Sequence, residues 1–207
     1  MQSYMKSTMP YRGVPSAGVK AVCREVFASH RLGSFESWKA TSVALWREAE
    51  YREERYAAIG LTGARPYREH QHPRAVPMYE EMITTGAWWD YVDEVAAHRI
   101  GPMLLTQGPV IRPLVLSWST SPDMWKRRTS IICQVVARDK TDLDLLYACI
   151  EPNLSEQEFF IRKAIGWSLR AYAWIDPGEI SAFVDRQGDR LSGLSRREAL
   201  KNIRPGR

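Results

Sequence analysis

Three short phrases in this chain each set a tryptophan beside a charge on one helical face. Asp93 follows Trp89 by four residues, and Arg128 and Arg170 follow Trp125 and Trp167 by three. At those spacings the side chains are neighbours on a helix. An aromatic plate beside a charge, repeated along one surface, describes a groove for something planar, charged and extended. The same residues also have a plainer reading. A tryptophan at helical spacing usually packs in a core, an arginine three residues on usually pairs at the surface, and acidic neighbours such as Asp90, Asp93 and Glu94 usually share a wet face. Spacing alone leaves core and groove both open.

Other chemistry is poorly represented. The sequence has no Gly-rich phosphate loop, no GxSxG and no HExxH. His70-Gln71-His72 has the form of a ligand pair, but nothing elsewhere completes a site, and a solvated loop is expected there. Cys23, Cys133 and Cys149 are widely spaced, with no CxxC or zinc spacing. Cys133 and Cys149 fall in apolar helical phrases, so free thiols in a reducing cytoplasm are expected. No metal or cofactor is expected. The amino-terminal residues lack the apolar core of a signal peptide, and no stretch reads as a membrane span.

The elements that must carry these residues read as helices. Trp46, Trp89, Trp125 and Trp167 recur at intervals of 43, 36 and 42 residues. A period near 40 in a helix-forming chain marks stacked helical pairs that bury a shared face and curve into a solenoid. Val19, Val22, Cys23, Val26 and Phe27 give one apolar stripe, and Leu143, Leu146, Tyr147 and Ile150 another. Phe160, Ala164, Trp167, Ala171 and Trp174 form a longer one. Pro/Gly-rich breaks separate the stripes, and no alternating strand pattern is found. Ser121-Pro122-Asp123 and Asp176-Pro177-Gly178-Glu179 read as helix starts, the second with the outline of a capping box. The expected fold is all-α, with HEAT-like helical repeats stacked into a C-shaped α-solenoid, as one domain over residues 1–207. That length suffices for one well-buried domain. Lys plus Arg number 29 against 24 for Asp plus Glu, and the pI near 9.2 is mild evidence for a polyanionic partner.

Five phrases, in order from about Tyr4 to Lys201, carry a resemblance. They are Tyr4-Met5-Lys6-Ser7 with Pro10-Tyr11-x-Gly13, Trp88-Trp89-Asp90-x-Val92-Asp93, Met124-Trp125-x-x-Arg128, Glu158-Phe159-Phe160-Ile161 running through Lys163-Ala164-Ile165-Gly166-Trp167-x-Leu169-Arg170, and Leu194-Ser195-x-Arg197-Glu198-Ala199-Leu200-Lys201. Together they resemble the AlkD-type DNA alkylation repair family. Family members generally carry a further helix before the tyrosine-methionine-basic phrase, with which this sequence almost begins. The resemblance implies HEAT-like repeats and DNA glycosylase activity on N3- and N7-alkylated purines in duplex DNA, without drawing the base into a pocket. It implies that Trp89 and Trp167 contact the deoxyribose of the lesion, that Asp93 is the catalytic carboxylate, and that Arg128 holds the DNA backbone. Arg170, beside Trp167, is expected on DNA as well. A monomer with alkylated double-stranded DNA as its partner is expected.

The residue types suit that reaction. A glycosidic bond breaks through a sugar with oxocarbenium character. A cationic alkylpurine leaves neutral, so one carboxylate suffices and no acid partner is required. Two other functions fit a helical array: a DNA-binding module without excision, and a protein-interaction scaffold. Retention of Asp93, Trp89, Trp167 and Arg128 favours the enzyme over the first, and the basic charge balance weighs against the second.

Overall fold

The computed structural model describes residues 2–203. Among them every regular element is helical and no strand occurs, as the periodicity requires. The chain divides after Tyr79 into two compact units.

The first unit holds α1 (Gln2–Met5), α2 (Ser16–Ser29), α3 (Phe35–Arg47), α4 (Arg52–Thr62) and the start of α5 (Val76–Gly86). Its core is built on Trp38 and Trp46 of α3, which pack with Ala58, Ile59 and Leu61 of α4. Trp46 is thus structural. Ser34 caps α3 by accepting from the Ser37 amide at 3.1 Å. Glu53 at the start of α4 accepts from the backbone N–H groups of Arg12, Gly13 and Val14 at 2.9–3.1 Å, which ties the segment before α2 to α4. The apolar stripe expected on α2 is only half used. Val19, Cys23 and Phe27 are half-buried, while Val22 and Val26 are exposed. The His70-Gln71-His72 stretch is not a solvated loop either. His70 closes a short 3-10 turn with its ring among Phe35, Trp38 and Tyr67, and the His72 ring stacks on Phe35 at 4.7 Å. Half-buried rings in an aromatic cluster explain the residue types without a ligand.

The second unit holds α6 (Trp89–Val95), α7 (Gly101–Thr106), α8 (Gly108–Trp118), α9 (Met124–Ile132), α10 (Leu143–Ile150), α11 (Phe159–Tyr172), α12 (Pro177–Gln187) and α13 (Gly193–Ala199). Its core draws Val92 and Val95 from α6, Ile131 and Ile132 from α9, and Ile161, Ala164, Ile165 and Leu169 from α11. α9 packs against α6 and α11, and α11 against α13. The two expected helix starts are present with adjustments. Asp123, one residue past Pro122, caps α9 by accepting from the Trp125 and Lys126 amides. Asp176 caps α12 by accepting from the Glu179 amide at 2.9 Å. The Glu179 carboxylate turns away to Tyr147 and Arg186, so the capping box stays open.

Two glycines set helix approach. At Gly166 a Cβ would lie 2.4 Å from Cβ of Glu198 and 2.9 Å from the Ser195 carbonyl oxygen, so only glycine lets α13 sit against α11. At Gly101 a Cβ would lie 2.2 Å from the Cys133 carbonyl oxygen. That contact seats the α6–α7 segment, joined by a π turn at Ala96–Ile100, against the end of α9.

Candidate functional site

All five expected site residues lie in the second unit, on α6, α9 and α11. α5 ends at Gly86, and Ala87 takes φ 44, which turns the chain into an extended Trp88 and starts α6 at Trp89. Trp89 is therefore in the first turn of α6, with Asp93 one turn later on the same face. α9, fixed by its Asp123 cap, presents Arg128 toward α6.

Asp93 and Arg128 meet directly. Arg128 Nε donates to Asp93 Oδ1 at 2.7 Å, and one terminal N–H donates to Oδ2 at 2.8 Å, a two-pronged ion pair. The other terminal nitrogen donates to the Phe160 carbonyl oxygen at 2.6 Å, where α11 begins. One guanidinium thus joins α6, α9 and α11. The side chains are 6% exposed for Arg128 and 16% for Asp93. The Asp93 side chain is therefore the more solvent-accessible of the two, and Arg128 is almost wholly covered. Three of the five N–H groups of Arg128 are committed inside the protein, which leaves few donors for a DNA phosphate. Burial pushes the Asp93 carboxyl above the ordinary aspartate value of 3.8, and the Arg128 hydrogen bonds and charge pull it back in part.

The tryptophans sort into two kinds. Trp125 is buried and packs with Phe160 and Trp88, ring centres 5.1 and 6.3 Å apart, and Trp88 meets Phe160 edge-on at 5.4 Å. These three rings form a wall behind the ion pair, with the Arg128 guanidinium carbon 5.9 Å from the Phe160 ring centre. Trp89 and Trp167 are each partly exposed. The stripe through Phe160 and Trp167 is not the buried face of α11. Ile161, Ala164, Ile165, Ser168 and Leu169 are, so Trp167 stands on the flank of the helix, and Trp174 lies past its end at 73% exposure. Arg170, also on α11, is not free: it pairs with Glu198 of α13, as does Lys163. Sequence reasoning missed Phe160 as the support of Arg128, and Trp88 as the ring packed on Phe160. The adjacent aromatic pairs Trp88-Trp89 and Phe159-Phe160 were the available signal.

The cations of α9 are each matched. Lys126 pairs with Glu80, Arg127 with Glu156 at 2.8 Å, and Arg128 with Asp93. Among the described residues no group of three or more His, Cys, Asp or Glu is placed to hold a metal ion. No helix among them is long and apolar enough to cross a membrane.

A carboxylate held by arginine beside a partly exposed indole, on stacked helices, defines a helical protein with one polar, aromatic-flanked site. Comparison with known proteins supplies the family. The family model described as DNA alkylation repair enzyme matches residues 1–203. This chain belongs to that family, the AlkD-like group its motifs resemble. It is also similar in structure to a predicted DNA alkylation repair enzyme from Enterococcus faecalis. The TM-score is 0.86 and the identity 26%, over 100% of this chain and 94% of that one. No curated protein matches. Family membership gives the chain a role in the repair of alkylated DNA.

Proposed function

We propose that this chain is a DNA glycosylase that hydrolyses the N-glycosidic bond of cationic N3- and N7-alkylpurines in duplex DNA. The observation that carries this reading is the partly exposed Asp93 side chain, locked by Arg128 and one turn from Trp89. As the bond between C1′ and the purine breaks, its electron pair passes to the base, which leaves neutral. Positive charge develops on the sugar. Asp93 faces that charge with a fixed negative one, and such preorganised stabilisation is commonly the largest catalytic contribution. Water then adds at C1′, oriented by the Asp93 oxygen lone pairs that Arg128 does not occupy, and releases its proton.

Trp89 and Trp167 offer indole faces to the same cation, each contributing on the order of 1 kcal/mol. Arg128 acts through Asp93. It keeps the carboxylate ionised in a half-buried setting and fixes its orientation. Phe160, packed against Trp88, holds Arg128 in turn. The three free thiols suit a reducing compartment, and we place the activity in the cytoplasm, on a monomer.

The test is release of free N7-methylguanine from a duplex carrying that base, beside a duplex carrying unmodified guanine at the same position. Release from the first and none from the second is expected. Binding of both without release would leave a non-catalytic DNA-binding module.

A further inference from the structure

The ion pairs of the second unit differ in stoichiometry. On α9 each cation has its own carboxylate. Where α11 meets α13, two cations share one. Lys163 Nζ lies 2.9 Å from Glu198 Oε1, and Arg170 pairs with Glu198 Oε2. The cluster keeps one positive charge in excess and is open to solvent, with side-chain exposures of 35% for Lys163, 23% for Arg170 and 18% for Glu198. Glu198 is itself held in place from behind. Gly166 lets its Cβ approach α11, and Ser195, one turn earlier on α13, donates to the Arg162 carbonyl oxygen at 2.9 Å.

Lys163 and Arg170 are seven positions apart, so the two stand about two turns, or ~10 Å, apart on one stripe of α11. A single anion with two oxygens bridges them. That is the charge and valence of a phosphodiester. The stripe lies next to the one that carries Phe160 and Trp167, since residues seven apart nearly superpose around a helix. A backbone phosphate at this point would flank the nucleotide that Trp167 faces.

We propose that Lys163 and Arg170 form a phosphodiester-binding site, and that Glu198 occupies its anion position in the absence of DNA. This inference rests on the proposed action upon duplex DNA. It adds a second phosphate ligand, Lys163, and makes Glu198 an internal competitor that weakens binding. The Lys163 and Arg170 partners hold the Glu198 carboxyl below the ordinary glutamate range, so Glu198 competes as an anion.

The experiment is titration of an unmodified duplex of about 16 base pairs at several salt concentrations. The proteins are wild type, Glu198→Gln, Lys163→Gln/Arg170→Gln, and the triple variant. Glu198→Gln should bind tighter. If it frees one phosphate contact, the slope of log affinity against log salt steepens by about 0.9, which is about eightfold at 0.1 M salt. Lys163→Gln/Arg170→Gln should bind more weakly with a shallower slope, and adding Glu198→Gln to it should restore nothing. Equal or weaker binding by a folded Glu198→Gln protein makes Glu198 purely structural and overturns the proposal. Should Glu198→Gln fail to fold, an unchanged salt slope in Lys163→Gln/Arg170→Gln overturns it equally. If wild type binds no duplex at all, the glycosylase reading falls with it. If wild type binds and Glu198→Gln makes no difference, only the phosphate site falls.

Discussion

Replacing Asp93 by Asn should cost stability as well as activity, and the ion pair explains why. Sequence similarity of shape argues for a silent structural change, because aspartate and asparagine are close to isosteric. In the structure, however, Asp93 is the carboxylate that meets Arg128 among the described residues, and the Arg128 side chain is 6% exposed. Removing one partner of a buried ion pair leaves an uncompensated charge and typically costs about 3–5 kcal/mol. The amide keeps one oxygen to accept from the guanidinium, so the lower end, about 3 kcal/mol, is expected. For a chain of this size that corresponds to a fall in Tm of roughly 6–12 °C. Arg128→Met removes the cation and fills its space with an apolar chain. Combined with Asp93→Asn, it should recover at least about 1.5 kcal/mol relative to the sum of the single changes. The assay is denaturant unfolding of the four proteins of the cycle at neutral pH. Additive single effects would mean that Asp93 and Arg128 do not interact in solution, and would remove Arg128 from the account of the site.

Three further outcomes follow from the same geometry. The acid limb of the excision profile should lie above pH 3.8, since burial raises the Asp93 carboxyl and excision needs it ionised. Arg128 lowers that group, so Arg128→Met should move the limb to still higher pH as well as reduce the single-turnover rate. A loss of DNA affinity with an unmoved limb would make Arg128 a phosphate contact alone. Gly166→Ala should destabilise by about 1–3 kcal/mol, because its Cβ meets Cβ of Glu198 and the Ser195 carbonyl oxygen, neither of which can rotate away; an unchanged unfolding midpoint would mean that α13 does not sit so close to α11. The tryptophans should separate by role. Trp46→Ala and Trp125→Ala, both buried, should each cost about 3–5 kcal/mol of stability, whereas Trp167→Phe should leave the unfolding midpoint nearly unchanged and slow excision. Trp167→Phe with wild-type excision would take Trp167 out of the site.

The helical class was readable because period-3.6 stripes and Pro/Gly breaks alternate along the whole chain. The caps at Asp123 and Asp176 were readable because an N-cap is a local signal. Which tryptophans are structural was not readable. Trp46, Trp89, Trp125 and Trp167 recur alike in sequence, yet Trp46 and Trp125 are core while Trp89 and Trp167 reach solvent. The face a helix buries depends on what packs against it. On α11 that is decided by Gly166 admitting α13, which makes the stripe through Ile161 and Ile165 the core and leaves Phe160 and Trp167 at its flank. The partners of Arg128 and Arg170 were hidden for the same reason. Asp93 and Glu198 are 35 and 28 residues away in sequence, and no local pattern links groups at that distance. The His70-Gln71-His72 stretch reads as a solvated loop because no local pattern links its rings to Phe35, on which they pack from far along the chain.

The most direct measurement of the central claim is the single-turnover rate of N7-methylguanine release from duplex DNA by wild type and by Asp93→Asn. It should be made at a temperature where both are folded and at enzyme concentrations that saturate the duplex. Loss of one preorganised electrostatic contact should slow release by roughly 100- to 1000-fold. Duplex affinity should stay equal or rise, since a carboxylate facing a polyanion repels it. Equal release rates in the two proteins would contradict the assignment of Asp93 as the group that stabilises the departing sugar cation.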